Sequence, residues 1–238
     1  MPLSIRPSPG AHARRYRAAQ LELFEALAAG ATASTTVPLR AQYAGAATCL
    51  TLVHLLPEAL ATRIDARVLA PLAAFRSAHH WYPLRDLHLT LKNVRRARPG
   101  WSCDRDLAAR SDAAISHACR VTAPLRFDIL GPVCLPTSIV LRALGTPAHR
   151  DAVRRLDQAL VQSGVHDDKL YASTDVYIGN VTICRYTEPP APALVQAVAR
   201  LRDLRVAPHT VGTAVLMQCD EVCSHASRVV LGEYVLAG

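Results

Sequence analysis

Asp86-Leu87-His88-Leu89-Thr90-Leu91-Lys92-Asn93-Val94 decides how this chain is read. As a strand, period two places His88, Thr90 and Lys92 on one face and Leu87, Leu89 and Leu91 on the other. The apolar face can pack on a core while the opposite face shows an imidazole, a hydroxyl and an ammonium to a ligand. Those groups suit a phosphate ester: proton transfer near neutral pH, a hydrogen bond to a phosphoryl oxygen, and a counter-charge. The same alternation also describes a half-buried strand whose polar side simply faces water.

A second run tips the balance. In Tyr177-Ile178-Gly179-Asn180-Val181-Thr182-Ile183-Cys184-Arg185-Tyr186 the alternation recurs, with Asn180 and Thr182 on one side and Val181 and Ile183 on the other. Asn180-Val181-Thr182 aligns with His88-Leu89-Thr90 at a separation of 92 residues, a hidden duplication. With these two runs the chain resembles the 2H phosphoesterases, the superfamily of the bacterial RNA 2′,5′-ligases and cyclic nucleotide phosphodiesterases. That family carries two His-x-Thr/Ser motifs on paired central strands facing one cleft. The first motif is intact here; the second has Asn180 where the family has its other histidine.

The resemblance covers residues 43–238. It implies an α+β, bilobal architecture: two similar lobes of mixed or antiparallel sheet with outer helices around a central cleft. It also implies that His88, Thr90, Asn180 and Thr182 stand at the catalytic positions, the histidine exchanging protons and the threonines holding the phosphate. Lys92 and Arg95, continuing from the first motif, and Tyr186, on the face of Asn180 and Thr182, are the expected substrate contacts. No metal and no cofactor is called for, because in-line displacement at phosphorus needs only a base and an acid on opposite sides. Asn180 can donate and accept hydrogen bonds but cannot exchange a proton usefully near pH 7. The expected function is therefore an RNA- or nucleotide-directed phosphoesterase acting on 2′,3′-cyclic or 2′,5′-linked phosphodiesters, weakened by that asparagine. The alternatives are a catalytically impaired binder of nucleotides or RNA ends, and a scaffold or toxin-like accessory. His54, His79, His80, His166 and His209 are weak substitutes for the missing histidine, since none lies in a His-x-Thr run.

Composition agrees. At 238 residues, half of them hydrophobic, the chain can bury a substantial core. No run approaches the roughly 18 apolar residues of a membrane span, and residues 1–10 lack the apolar segment of a signal peptide, so a cytoplasmic location is expected. Seven scattered cysteines, odd in number and without a C-x-x-C pair, fit reduced thiols better than a disulfide framework. Cys219, Cys223 and His225 lie close in sequence, a thin basis for a structural zinc. The formal charge of +8 favours anionic partners, and Arg95, Arg96 and Arg98 at the exit of the first motif place a basic rim beside it.

Residues 1–42 read as an extension: a helix over 11–27, a cap or oligomerisation element, then a Gly/Ser/Thr linker over 30–38. Beyond it, strands are expected at 49–55, 87–94, 125–133, 138–144 and 177–186, and helices at 58–75, 104–120, 148–162 and 191–201. Residues 206–219 and 228–236 complete the chain as a strand pair.

Overall fold

The computed structural model describes residues 9–29, 47–166, 168 and 172–238. Its nine strands form one antiparallel sheet in the order β7-β4-β5-β6-β3-β1-β8-β9, with the short β2 also pairing to β6. These strands are β1 (Ala47–Leu55), β2 (His80–Trp81), β3 (His88–Pro99), β4 (Leu125–Leu135), β5 (Ser138–Gly145), β6 (Gly179–Arg185), β7 (Arg205–Val211), β8 (Thr213–Asp220) and β9 (Val229–Val235). The sheet consists of two halves, β7-β4-β5-β6 and β3-β1-β8-β9, and β6 meets β3 through the bridge Leu89↔Val181. The two motif strands are thus the seam between lobes, as the duplicated pattern implies.

Helices α2 (Glu58–Ile64), α3 (Arg105–Arg120), α4 (Pro147–Gln162) and α5 (Pro192–Arg200) bury their apolar stripes in the main core. Leu50, Leu52, Leu89, Ile139, Leu141 and Val181 meet them from the sheet. Asp104 caps α3, its Oδ1 accepting from the Leu107 N–H at 2.7 Å. The helix expected over 58–75 does not run straight: after Ile64 it loosens into a π turn, Asp65–Leu69, then tightens into a 3₁₀ segment, Ala70–Phe75. Pro71, which has no N–H to give to a preceding carbonyl, stands at that change. The expected strand over 206–219 is two strands, broken at Gly212, whose halves join opposite lobes: β7 pairs with β4, and β8 with β1 and β9.

The N-terminal helix, α1 (Pro9–Ala29), lies on the other face of the sheet. Its Phe24 is wholly buried with Leu130, Val133, Val140 and Leu144 of β4 and β5. Gln20 Nε2 donates to the Tyr177 carbonyl at 2.6 Å, and the Tyr16 hydroxyl accepts from the Tyr177 N–H at 3.1 Å. The helix read from sequence as an appendage therefore packs into the body and holds the segment that enters β6. The expected linker over 30–38 lies outside the described residues. No helix among the described residues is long and apolar enough to cross a membrane.

Candidate functional site

The bridge Leu89↔Val181 joins the middle residues of the two motifs. Antiparallel pairing about it sets His88 opposite Thr182 and Thr90 opposite Asn180. Directly opposed Cβ atoms lie about 5 Å apart and diagonal ones about 7–8 Å, so His88 and Asn180 flank the centre of a rectangle with the two threonines at its other corners. All four line one cleft of about 660 Å³, with Asn93, Arg95, Arg96, Arg185 and Tyr82 among its other walls.

His88 is buried, and its Nδ1 lies 2.8 Å from the Asp86 carbonyl oxygen. Since a carbonyl can only accept, Nδ1 carries the proton and Nε2 keeps its lone pair. Burial lowers its pKa below the ordinary 6.5; the Asp86 bond opposes this and the Arg228 charge adds to it. The imidazole is accordingly neutral at pH 7, the state a general base needs. Asn180 Nδ2 donates to Thr182 Oγ1 at 3.4 Å. No other histidine among the described residues lines this cleft. His54 and His209 pair with each other, Nε2 to Nε2 at 2.8 Å, and His79 and His80 pack on Tyr186 and Tyr82.

Two expected contacts are not in the cleft, and one kind of irregularity explains both. Across β1 and β3 the register runs Leu52↔Lys92 then Val53↔Thr90, which leaves Leu91 as an extra residue. Such a bulge reverses the side-chain phase beyond it. Lys92 therefore turns to the helix side, where its side chain is fully buried and pairs with Asp157 of α4. On β6 the register Ile139↔Cys184 then Val140↔Thr182 leaves Ile183 extra in the same way. Tyr186 consequently enters the core, 1% exposed, instead of facing a substrate.

The same bulges bring in two residues that strict alternation hides. Three positions after each threonine, Asn93 and Arg185 face the cleft. Asn93 Oδ1 accepts from Thr51 Oγ1 at 2.9 Å, so its amide NH₂ remains for a ligand. Arg185 donates from Nη1 to Thr137 Oγ1 at 3.2 Å, while its buried Nε–H has no acceptor among the described residues. A buried guanidinium with a donor to spare is suited to a phosphate. Of the basic rim, Arg95 and Arg96 reach the cleft; Arg98 is bound to Asp168, Nη2 to Oδ2 at 2.5 Å. Three arginines and one acidic residue, Glu221, are among the residues that line the cleft, which is therefore basic in composition.

No family model matches the chain, and no curated protein matches it. Solved structures do. TT0787 of Thermus thermophilus superposes with a TM-score of 0.56 at 20% identity, covering 80% of this chain and 98% of that one. E. coli LigT complexed with 3′-AMP superposes with a TM-score of 0.51 at 15% identity, covering 81% of this chain and 99% of LigT. The chain shares the fold of LigT. ATU0111 from Agrobacterium tumefaciens, a conserved protein of unknown function, gives a TM-score of 0.53 at 15% identity, over 87% of this chain and 98% of that chain. The mixed helix and antiparallel sheet architecture expected from the two motifs is thereby established.

Proposed function

We propose that the chain is a phosphoesterase of the 2H type, acting on 2′,3′-cyclic or 2′,5′-linked phosphodiesters of nucleotides or RNA. One observation carries the reading: both motifs, His88-Leu89-Thr90 and Asn180-Val181-Thr182, face one basic cleft from strands bridged at their middle residues. The LigT structure with bound 3′-AMP supports a nucleotide as the ligand class.

In this mechanism Thr90, Thr182 and Asn93 donate to the non-bridging phosphoryl oxygens, and Arg185 balances their charge. His88 Nε2 takes a proton from water as its oxygen bonds to phosphorus, and the opposite P–O bond breaks. Asn180 can hydrogen-bond the leaving oxygen but cannot protonate it, so that proton comes from solvent. A positioned acid is worth about 10²–10⁴ in rate, so turnover is expected to be slow. The test is hydrolysis of a nucleoside 2′,3′-cyclic phosphate by wild type and His88→Ala. Turnover that disappears with His88 supports an enzyme. Binding by the cleft with no turnover above background leaves a nucleotide- or RNA-end-binding module, and neither activity nor binding removes both.

A further inference from the structure

Cys49 and Cys219 are register partners across β1 and β8, and Cys223 returns to them from the turn after β8. Their sulfurs lie 3.6 Å apart for Cys49–Cys219 and 3.2 Å for Cys219–Cys223, and all three are within 4.8 Å of one another. A tetrahedral thiolate zinc site, with Zn–S bonds of about 2.3 Å, sets its sulfurs about 3.8 Å apart. The cluster has nearly that spacing already.

The turn that brings Cys223 back is firmly held. The buried Asp220 carboxylate accepts from the N–H groups of Val222 and Ser224, at 3.2 and 2.8 Å, and from the Ser224 hydroxyl at 2.5 Å. Arg228 donates to the Cys223 carbonyl from Nε at 3.0 Å and Nη2 at 2.8 Å. Cys223 itself has φ +51°, a left-handed conformation uncommon outside glycine. Cys219 lies beneath, fully buried, while Cys49 and Cys223 line the cleft alongside His88 and Tyr82.

We propose that Cys49, Cys219 and Cys223 form a three-thiolate site for a soft divalent cation of the zinc class, its fourth coordination position open to the cleft. Thiolates select such ions over magnesium or calcium, and binding releases the thiol protons. With three protein ligands the ion keeps a place for water or for an oxygen of a bound ligand, the arrangement of reactive rather than purely structural zinc sites. The site stands on its own geometry, whether or not the cleft hydrolyses phosphodiesters. It also replaces the sequence grouping of Cys219 and Cys223 with His225: the third partner is Cys49, 170 residues before Cys219.

The experiment titrates Co²⁺ into the reduced, chelator-stripped full chain. Expected are a thiolate-to-cobalt charge-transfer band that saturates at one ion per chain, its loss on adding Zn²⁺, and three sulfur scatterers at about 2.3 Å in X-ray absorption of the zinc form. Cys49→Ser and Cys223→Ser should each abolish the band and weaken zinc binding more than about 100-fold, beyond the usual effect of losing an outer-shell partner. Cys103→Ser, outside the cluster, should change neither. Should a serine variant lose its circular-dichroism signature of folding, the sulfur count of the wild-type zinc form decides. No charge-transfer band in reduced protein, or fewer than three sulfurs around zinc, overturns the site.

Discussion

Replacing either partner of the Lys92–Asp157 pair distinguishes the observed strand phase from the one that strict alternation gives, and the two replacements should differ in size. The Lys92 side chain is 0% exposed and that of Asp157 is 29% exposed. Asp157→Asn removes the carboxylate that faces a fully buried ammonium, at a cost of about 3–5 kcal/mol. At about 2–4 °C per kcal/mol for a chain of this size, melting should fall by about 6–20 °C. Lys92→Met keeps most of the apolar stem and leaves a carboxylate that already reaches water, so the loss should be about 1 kcal/mol. The double change Lys92→Met/Asp157→Leu should recover most of the stability, because two apolar groups replace a desolvated ion pair. Melting followed by circular dichroism reads all three, and calorimetric titration with a nucleoside 3′-phosphate reads the cleft. Ligand affinity should be unchanged in Lys92→Met. If that variant instead melted like wild type and lost ligand binding, Lys92 would stand in the cleft, and the bulge at Leu91 would be refuted.

Arg185→Gln should weaken nucleotide binding about 10–100-fold by titration calorimetry, since a charge-assisted hydrogen bond is worth about 1.5–3 kcal/mol; an unchanged affinity would remove Arg185 from the site. His88, with its lowered pKa, is neutral throughout the neutral range, so a His88-dependent rate should stay flat there and decline only below pH 6.5. The depressed folded pKa values of His54, His80, His88 and His209 favour the neutral forms. They contribute stability that is present above the unfolded value of 6.5 and lost as pH falls through each folded value, so melting temperature should drop on acidification from there. Phe24→Ala should cost about 3–5 kcal/mol by urea denaturation, as for a fully buried phenylalanine; a negligible change would mean that α1 is an extension the body does not need.

The fold was legible because two short alternating runs share one offset, and period two alone puts His88 with Thr90 and Asn180 with Thr182. The bridge between Leu89 and Val181 adds only that these runs are neighbours. What alternation could not show is its own interruption. Neither Leu91 nor Ile183 carries the glycine that often flags a bulge, so Lys92 and Tyr186 read as cleft residues, and Asn93 and Arg185 were passed over. Arg185 did have a faint signal: an arginine at the end of an apolar strand, three residues past a motif threonine, as Asn93 follows Thr90. The thiol cluster showed only the closeness of Cys219 and Cys223, because Cys49 joins them only when β1 and β8 pair. Nor does the modest amphipathicity of residues 9–29 reveal that Phe24, Gln20 and Tyr16 anchor α1 over β4, β5 and the entry to β6.

The most direct test of the central claim compares Asn180→His with wild type and His88→Ala in steady-state hydrolysis of a nucleoside 2′,3′-cyclic phosphate. Asn180 lines the cleft diagonally across from His88, so a histidine there supplies the proton that the leaving oxygen otherwise takes from solvent. A gain of about tenfold or more over wild type, with His88→Ala inactive, is the predicted result, tenfold being a conservative share of what a positioned acid contributes. No turnover in any of the three would contradict an active phosphoesterase, and robust wild-type turnover that Asn180→His reduces would contradict the reading of Asn180 as a hydrogen-bonding stand-in for a missing acid.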